Sequence, residues 1–147
     1  MRIAINGFGR IGRAFFKASL LRPEIEVVAI NDLGDAENLV YLLKYDSVYG
    51  PSGLEAEAKD GKFVVEGKEI LFLSEKDPAK LPWGEQKIDV VVESTGVFNS
   101  YEKASAHLKA GAKRVVITAP VKDEAPAGIT GATVLMGIND EKLKFCQ

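Results

Sequence analysis

The chain has 147 residues, enough for one compact domain with its own hydrophobic core. Apolar residues make up 46% of it, charged residues 27%, and the formal net charge is −2, so the composition favours neither nucleic-acid binding nor a membrane-surface role. The first apolar run is broken at once by Asn6, which makes it too short for a signal peptide, and a single cysteine, Cys146, excludes an internal disulfide; we therefore expect a cytoplasmic protein.

Strand-like apolar runs alternate with helical patterns along the first half of the chain. The predicted elements there are a buried strand at 2–6, a tight turn at 7–9, a helix with apolar residues from Ile11 to Leu21 that Pro23 ends, a second buried strand at 26–31, a helix at 35–45 and a loop at 46–53. This alternation is typical of a parallel sheet with helices on both faces.

The second half continues the alternation after an interruption. Two short runs, 62–65 and 68–73, flank Glu66 and Gly67 and predict a small antiparallel hairpin insertion. The further predicted elements are a turn at Asp77, a core strand at 89–93, a helix from the N-cap Ser100 to about Ala110 with Gly111 as its stop, a strand at 114–118, a loop at 126–131 and a return to the sheet at 133–136. We predict an α/β fold with a doubly wound, mostly parallel sheet, in one domain over residues 1–147.

A dinucleotide fingerprint follows the first strand at Gly7, Gly9 and Gly12. In this pattern the first glycine allows the tight turn, the second lets a pyrophosphate approach the backbone, and the third lets the helix pack closely on the strand. Free N–H groups of the first helical turn, near Arg10 and Ile11, point at the phosphates. The fingerprint predicts a Rossmann-type nucleotide site.

Asp32 lies at the end of the second strand, 20 residues after Gly12. A carboxylate there accepts hydrogen bonds from the adenosine ribose hydroxyls and repels a 2′-phosphate, which predicts NAD rather than NADP as the cofactor. The alternative is a glycine-rich turn beside an ordinary surface aspartate. We favour the nucleotide site because strand, turn, helix, strand and acid occur in the required order.

Two further groups of residues follow core strands. Thr95 and Gly96 are small enough to let a flat ring approach, and Phe98 either packs against adenine or is an ordinary core aromatic. Thr118 ends the next strand and either lines the same crevice near the nicotinamide or has no such role. The residues alone leave both alternatives open.

Together these segments resemble the NAD-binding domain of the glyceraldehyde-3-phosphate dehydrogenase family. The blocks that carry the resemblance, in family order, are Ala4–Arg13, Ala29–Leu33, Tyr41–Val48, Lys76–Pro78, Trp83–Gly84, Val91–Gly96, Ala110–Lys113 and Met136–Asn139. They cover essentially the whole chain, and several are specific to the family.

The resemblance implies roles for the matching positions. Arg10 and Ile11 would contact the pyrophosphate, and Asp32 would contact the adenine ribose. Lys76 would lie near the adenine, at a position where arginine is usual, and a lysine there lacks the forked pair of donors of an arginine. Three residues, Thr95, Gly96 and Phe98, would flank the adenine, and Thr118 would lie on the nicotinamide side.

The resemblance also implies that the catalytic domain lies downstream of residue 147. The family's cysteine nucleophile stands in a Ser-x-x-Cys-Thr-Thr-Asn motif, which this chain does not contain. Cys146 would lie just before it, on the strand leading to it, as a small buried or edge residue. His107 has no acid or cysteine patterned with it along its helix, so we interpret it as a surface or packing histidine.

Three functions follow from these observations. The first is the NAD-binding part of a glycolytic enzyme that oxidises and phosphorylates glyceraldehyde 3-phosphate, a tetramer in its full-length family. The second is a free-standing nucleotide-binding module without catalysis, and the third is the related erythrose-4-phosphate dehydrogenase. No metal is expected in any of them.

Overall fold

The computed structural model describes residues 1–146, in which two sheets and three α-helices form. In chain order the elements are β1 (Arg2–Asn6), α1 (Arg10–Ser19), β2 (Glu26–Asn31), α2 (Ala36–Lys44), β3 (Tyr45–Asp46), β4 (Gly50–Pro51), β5 (Ala56–Lys59), β6 (Lys62–Val65), β7 (Lys68–Leu73), a 3₁₀ helix (Pro78–Lys80), β8 (Val90–Glu93), α3 (Tyr101–Lys109), β9 (Arg114–Ile117) and a second 3₁₀ helix (Asp140–Phe145). None of the helices among these residues has the length and apolar character needed to cross a membrane.

The main sheet has seven strands in the order β5-β6-β7-β2-β1-β8-β9. Strands β7, β2, β1, β8 and β9 run parallel, which confirms the predicted doubly wound, mostly parallel sheet. The predicted hairpin is present as β6 and β7. It extends the main sheet, since β5 adds a third antiparallel strand and β7 pairs in parallel with β2. A two-residue ladder of β3 with β4 occupies Tyr45, predicted as the end of the second helix, and part of the segment 46–53 predicted as loop.

Apolar side chains cover both faces of this sheet. Successive residues of a strand point to opposite faces, so Ile5 joins a cluster with α1 and α2 while its neighbour Ala4 packs against Trp83 on the other side. Helix α3 lies on the Trp83 side, where His107 contacts the indole. The prediction of helices on both faces is therefore confirmed.

Capping residues define the second and third helices, and the predicted N-cap Ser100 is confirmed. The Asp35 side chain accepts a hydrogen bond from the Asn38 amide, and Ser100 accepts one from Lys103. The expectation that the first helix runs on to Pro23 was wrong, because α1 ends at Ser19. Beyond that point Leu21 is 83% exposed, so no buried face remains to extend the helix.

The predicted return to the sheet at 133–136 was also wrong. This segment forms no strand, and its backbone is bonded by one nearby side chain instead. The Asn139 amide oxygen accepts from the Leu135 N–H, and its nitrogen donates to the Thr133 carbonyl oxygen. An asparagine that satisfies backbone groups locally competes with strand pairing.

Candidate functional site

A cavity of about 880 Å³ lies beyond the carboxyl ends of β1, β2 and β8, where an open parallel sheet places its ligands. Its volume suits a small-molecule cofactor. Six of the predicted site residues line it, namely Gly7, Gly9, Asp32, Lys76, Thr95 and Phe98. The sheet order thus brings together residues that are far apart in the sequence.

The three fingerprint glycines have different surroundings. Gly7 adopts a positive φ of 93°, and a Cβ there would lie 2.6 Å from the Thr95 amide nitrogen. A Cβ on Gly12 would overlap the Gly7 carbonyl oxygen, so this glycine permits the close packing of α1 against the turn. A Cβ on Gly9 would meet nothing within 4 Å, which leaves this stretch of backbone open to a ligand. This open approach fits a pyrophosphate.

Helix α1 presents its amino terminus to the same turn. Gly9 is its N-cap, and within residues 1–146 no side chain accepts from the first N–H groups of the helix. Arg10 and Ile11, which form the first turn, are both exposed. The helix therefore has free donors and a positive dipole end where an anion would sit.

The turn is anchored from below by Phe8 and Arg13. The Phe8 ring is fully buried, with its centre 5.8 Å from that of Phe16 in an edge-on arrangement and 5.7 Å from that of Phe63 in a tilted one. Arg13 is buried and donates from Nη1 to the Phe8 carbonyl oxygen at 2.9 Å. Burial lowers the pKa of Arg13, while Asp46 and Asp32 act in the opposite direction. The turn is thus fixed to the core before any ligand binds.

Asp32 is the acid at the end of β2, and its carboxylate is held by two backbone donors. Oδ2 accepts from the Phe8 N–H at 2.6 Å, and Oδ1 accepts from the Gly34 N–H at 2.8 Å. Each carboxylate oxygen can accept a further hydrogen bond. The side chain is half-buried and lines the cavity, so it can receive two ribose hydroxyls.

The opposite wall is the loop after β8. Gly96 has a positive φ of 75°, which lets the chain turn there. Phe98 is half-buried, lines the cavity and sets its ring against the edge of His107, with the ring centres 6.2 Å apart. It therefore belongs partly to the core and partly to the cavity. Thr118 lies elsewhere: it is exposed, lines a neighbouring cavity and donates its hydroxyl to the Glu93 carbonyl oxygen.

Sequence reasoning missed a buried polar network beneath the cavity. The Trp83 indole N–H donates to His107 Nδ1 at 2.9 Å, and His107 Nε2 lies 3.0 Å from Glu93 Oε2. Asn6 donates to the same Glu93 oxygen at 2.6 Å, and Asn31 donates to the Asn6 amide oxygen at 2.7 Å. Of the two expectations for His107, a surface position is wrong, because the side chain is fully buried, and a packing role leaves out its bond to the acidic Glu93.

Glu93 is a buried carboxylate with several hydrogen-bond donors around it. Burial raises its pKa, but the hydrogen bonds from His107, Asn6 and Thr95 together lower it by more, so the net pKa lies below that of an ordinary glutamate. The network therefore holds a negative charge in the interior. A signal for it was present in the sequence, since Asn6, Asn31 and Glu93 each place a polar residue at the end of an apolar strand.

Cys146 does not lie on a strand, contrary to expectation. It follows the 3₁₀ helix Asp140–Phe145, is half-buried, and its thiol donates to the Lys142 carbonyl oxygen at 3.2 Å. Both ring nitrogens of the chain's single histidine are already bonded to Trp83 and Glu93. No group of three or more His, Cys, Asp or Glu residues suited to a metal ion occurs in the described part of the chain.

Comparisons with known proteins agree with this geometry. The family profile described as "Glyceraldehyde 3-phosphate dehydrogenase, NAD binding domain" matches residues 1–101. The chain is 51% identical over 142 residues to the glyceraldehyde-3-phosphate dehydrogenase of Geobacillus stearothermophilus and 54% identical over 142 residues to that of Clostridium pasteurianum. Each match covers 97% of this chain and 41% of the relative, so the chain spans about two fifths of the length of these relatives.

Proposed function

This chain belongs to the glyceraldehyde-3-phosphate dehydrogenase family as its NAD-binding domain, and we propose which of its residues hold the dinucleotide. The pyrophosphate lies over Gly9 and the first turn of α1, and the adenosine lies between Asp32 and the loop from Thr95 to Phe98. Lys76, on the rim of the cavity, contacts the adenine end. Gly7 and Gly12 shape the turn, because a Cβ at either position would meet backbone atoms.

The observation that carries this assignment is the fixed carboxylate of Asp32. Its two backbone donors hold it in place, and its remaining lone pairs suit the two vicinal hydroxyls of a ribose. A ribose 2′-phosphate would bring a second negative charge against this carboxylate in a partly buried site. The geometry therefore supports NAD over NADP.

We propose that the whole protein to which this domain belongs is a phosphorylating aldehyde dehydrogenase of glycolysis, cytoplasmic and tetrameric. NAD accepts a hydride in such chemistry. The residues described here would bind and orient the cofactor, whereas a cysteine thiolate paired with a base would have to come from elsewhere, because His107 and Cys146 are each bonded to other groups.

The test of the cofactor assignment is calorimetry with NAD, NADP and ADP-ribose. We expect NAD to bind more tightly than NADP, and ADP-ribose to bind nearly as well as NAD, because the proposed contacts fall on the adenosine side. The variant Asp32→Ser should weaken NAD binding by roughly tenfold and relax the discrimination against NADP. Asp35→Ser is the matched control, because it removes a nearby charge and serine still caps α2. Equal binding of NAD and NADP by the unmodified chain would refute the role of Asp32.

We propose that this chain alone does not catalyse the dehydrogenase reaction, and an assay with glyceraldehyde 3-phosphate, NAD and phosphate tests this. We expect no NADH above background. Clear turnover that disappears in Cys146→Ser would show instead that this thiol is a nucleophile. NAD binding without turnover supports the domain's role in binding, and it is also what a free-standing module would show.

A further inference from the structure

One continuous set of hydrogen bonds joins three walls of the cavity, which are the glycine turn after β1, the loop after β8 and the segment around Glu75. Asn6, Asn31 and Glu93 stand side by side in register at the ends of β1, β2 and β8. Asn31 reaches the third wall, because its side chain donates to the Glu75 carbonyl oxygen at 2.9 Å and accepts from the Glu75 N–H at 2.8 Å. At the other end, Glu93 Oε1 accepts from both the amide and the hydroxyl of Thr95.

The tautomer of His107 follows from its partners. An indole N–H can only donate, so Nδ1 of His107 must accept from Trp83, and Nε2 must carry the proton. That proton points at Glu93 Oε2. Asn6 Nδ2 lies only 3.4 Å from the same ring nitrogen because both groups donate to one carboxylate oxygen.

The four donors leave Glu93 only one suitable form, the ionised carboxylate. Oε2 accepts from His107 and Asn6, and Oε1 accepts twice from Thr95. The Thr95 hydroxyl, having donated to Glu93, accepts from the Val97 N–H at 3.1 Å. Its proton is therefore committed inside the protein, and this bond sets the course of the loop that faces the ligand.

We propose that Glu93 is a positioning residue for the dinucleotide, which holds the glycine turn and the Thr95–Phe98 loop at a fixed separation, and that His107 and Trp83 fix its orientation. The proposal rests on the ligand placement given above. Glu93 is 2% exposed and does not line the cavity, so its effect on a ligand is exerted through Asn6 and Thr95.

The variant Glu93→Gln tests this, because glutamine has the same shape but one oxygen and one NH₂ group. If its oxygen faces Thr95, the NH₂ group faces the donors of His107 and Asn6. If the amide is turned over, the NH₂ group faces the Thr95 N–H. Histidine cannot relieve the clash by changing tautomer while Trp83 donates to Nδ1. Either orientation sets donor against donor, so one wall of the cavity must move.

We expect Glu93→Gln to weaken NAD binding by about tenfold, measured by calorimetry at a temperature where circular dichroism shows the variant folded. The single histidine gives an unambiguous ¹⁵N signal, which should show the Nε2–H tautomer in the unmodified chain and a changed ring environment in the variant. A folded Glu93→Gln that binds NAD like the unmodified chain would overturn the positioning role. Absence of NAD binding by the unmodified chain would instead overturn the proposed function, and the positioning role with it.

A second pair of variants keeps the proposal falsifiable if Glu93→Gln does not fold. Thr95→Val removes the hydroxyl that joins Glu93 to Val97, and Thr95→Ser retains it. We expect about tenfold weaker NAD binding in Thr95→Val, rescue to within about twofold in Thr95→Ser, and faster exchange of the Val97 amide in ligand-free Thr95→Val. Weaker binding with an unchanged Val97 amide would mean that the hydroxyl contacts the ligand directly, and unchanged binding would mean that it has no role; each result overturns the proposal.

Discussion

The polar groups under the cavity at the ends of β1, β2 and β8 and those of residues 133–140 are satisfied in opposite ways. Under the cavity, Asn6 bonds to Glu93 across 87 positions of the sequence and to Asn31 across 25. After β9, Leu135 bonds to Asn139 and Gly137 to Asp140, only three or four positions away. The first arrangement exists only when the sheet has formed, whereas the second can form locally.

The two regions also differ in how far their apolar side chains are exposed. Under the cavity, Phe8 and Trp83 are fully buried. In the later segment, Leu135, Met136 and Ile138 are 57%, 95% and 77% exposed. Cooperative stability should therefore reside in the sheet and the cavity floor, while residues 133–140 open at low free-energy cost. Substitutions that separate the two regions test this contrast.

The largest difference is expected between Phe8→Ala and Met136→Ala. Removal of the buried ring should lower the free energy of unfolding by about 4 kcal/mol, because it leaves a cavity beside Phe16 and Phe63. Met136→Ala should change it by less than about 0.5 kcal/mol. Urea unfolding followed by Trp83 fluorescence measures both. A loss above about 1 kcal/mol in Met136→Ala would show that the later segment is part of the cooperative unit.

The next largest effect is expected for two glycine variants of the fingerprint, one of which should affect stability and the other only NAD binding. Gly12→Ala places a Cβ against the Gly7 carbonyl oxygen and should lower the free energy of unfolding by about 2–3 kcal/mol. It should also weaken NAD binding. Gly9→Ala is the matched variant, since φ is −71° there and the space around its Cβ is open. It should leave the unfolding midpoint unchanged and still weaken NAD binding. Wild-type affinity in folded Gly9→Ala would place the phosphates elsewhere.

Acid should act on the cavity floor through Glu93. Its pKa in the folded state is lowered from the ordinary value of 4.5, so the stability it contributes is complete above that pH. As the pH falls from the unfolded-state pKa to the folded-state pKa, that contribution is lost, at no more than about 1.4 kcal/mol per pH unit. The difference in unfolding free energy between the unmodified chain and Glu93→Gln should therefore shrink in acid.

Glu69→Gln provides the comparison for the acid experiment. Glu69 pairs with Lys62 at the surface, and the lysine lowers its pKa through a hydrogen bond and its charge. The change in unfolding free energy caused by Glu69→Gln should disappear with added salt, whereas the change caused by Glu93→Gln at the buried site should persist. Equal salt sensitivity would contradict the burial of the Glu93 charge.

The smallest effect is expected for Asn139→Ala. This variant removes both hydrogen bonds that shape residues 133–139 and should lower the free energy of local opening of that segment by about 1 kcal/mol or less. Hydrogen exchange at the Leu135 amide should accelerate while amides of β1 and β8 stay protected. Loss of NAD binding in this variant would show that the two regions are coupled.

The sequence predicted the alternating strands and helices, the fingerprint turn and the N-cap Ser100 because each of these signals lies in residues close together in the chain. Ser100, for example, caps its helix through a bond three positions ahead. Strand β5 escaped prediction because Ala56–Lys59 has a composition poor in β-forming residues, and only its pairing with β6 makes it a strand.

The network under the cavity could not be read from spacing. His107 and Glu93 belong to different elements, and their contact depends on which side of the sheet α3 packs. The apolar run at 133–136 led to a strand that does not form. Nothing in its own composition shows that the Asn139 side chain will form hydrogen bonds with its backbone groups. Partners of buried polar residues are decided by strand order, which periodicity alone does not reveal.

Phe8 limits how far the nucleotide-binding turn can be treated as a transferable part. The residue occupies a variable position of the fingerprint, yet its ring fills a socket formed by a helix and by the antiparallel extension of the sheet. A designer who grafts the glycine turn onto another parallel sheet would carry over a bulky apolar side chain without its receptor. The transplant needs either the Phe16 and Phe63 rings or a smaller residue at this place, and the recipient scaffold decides which.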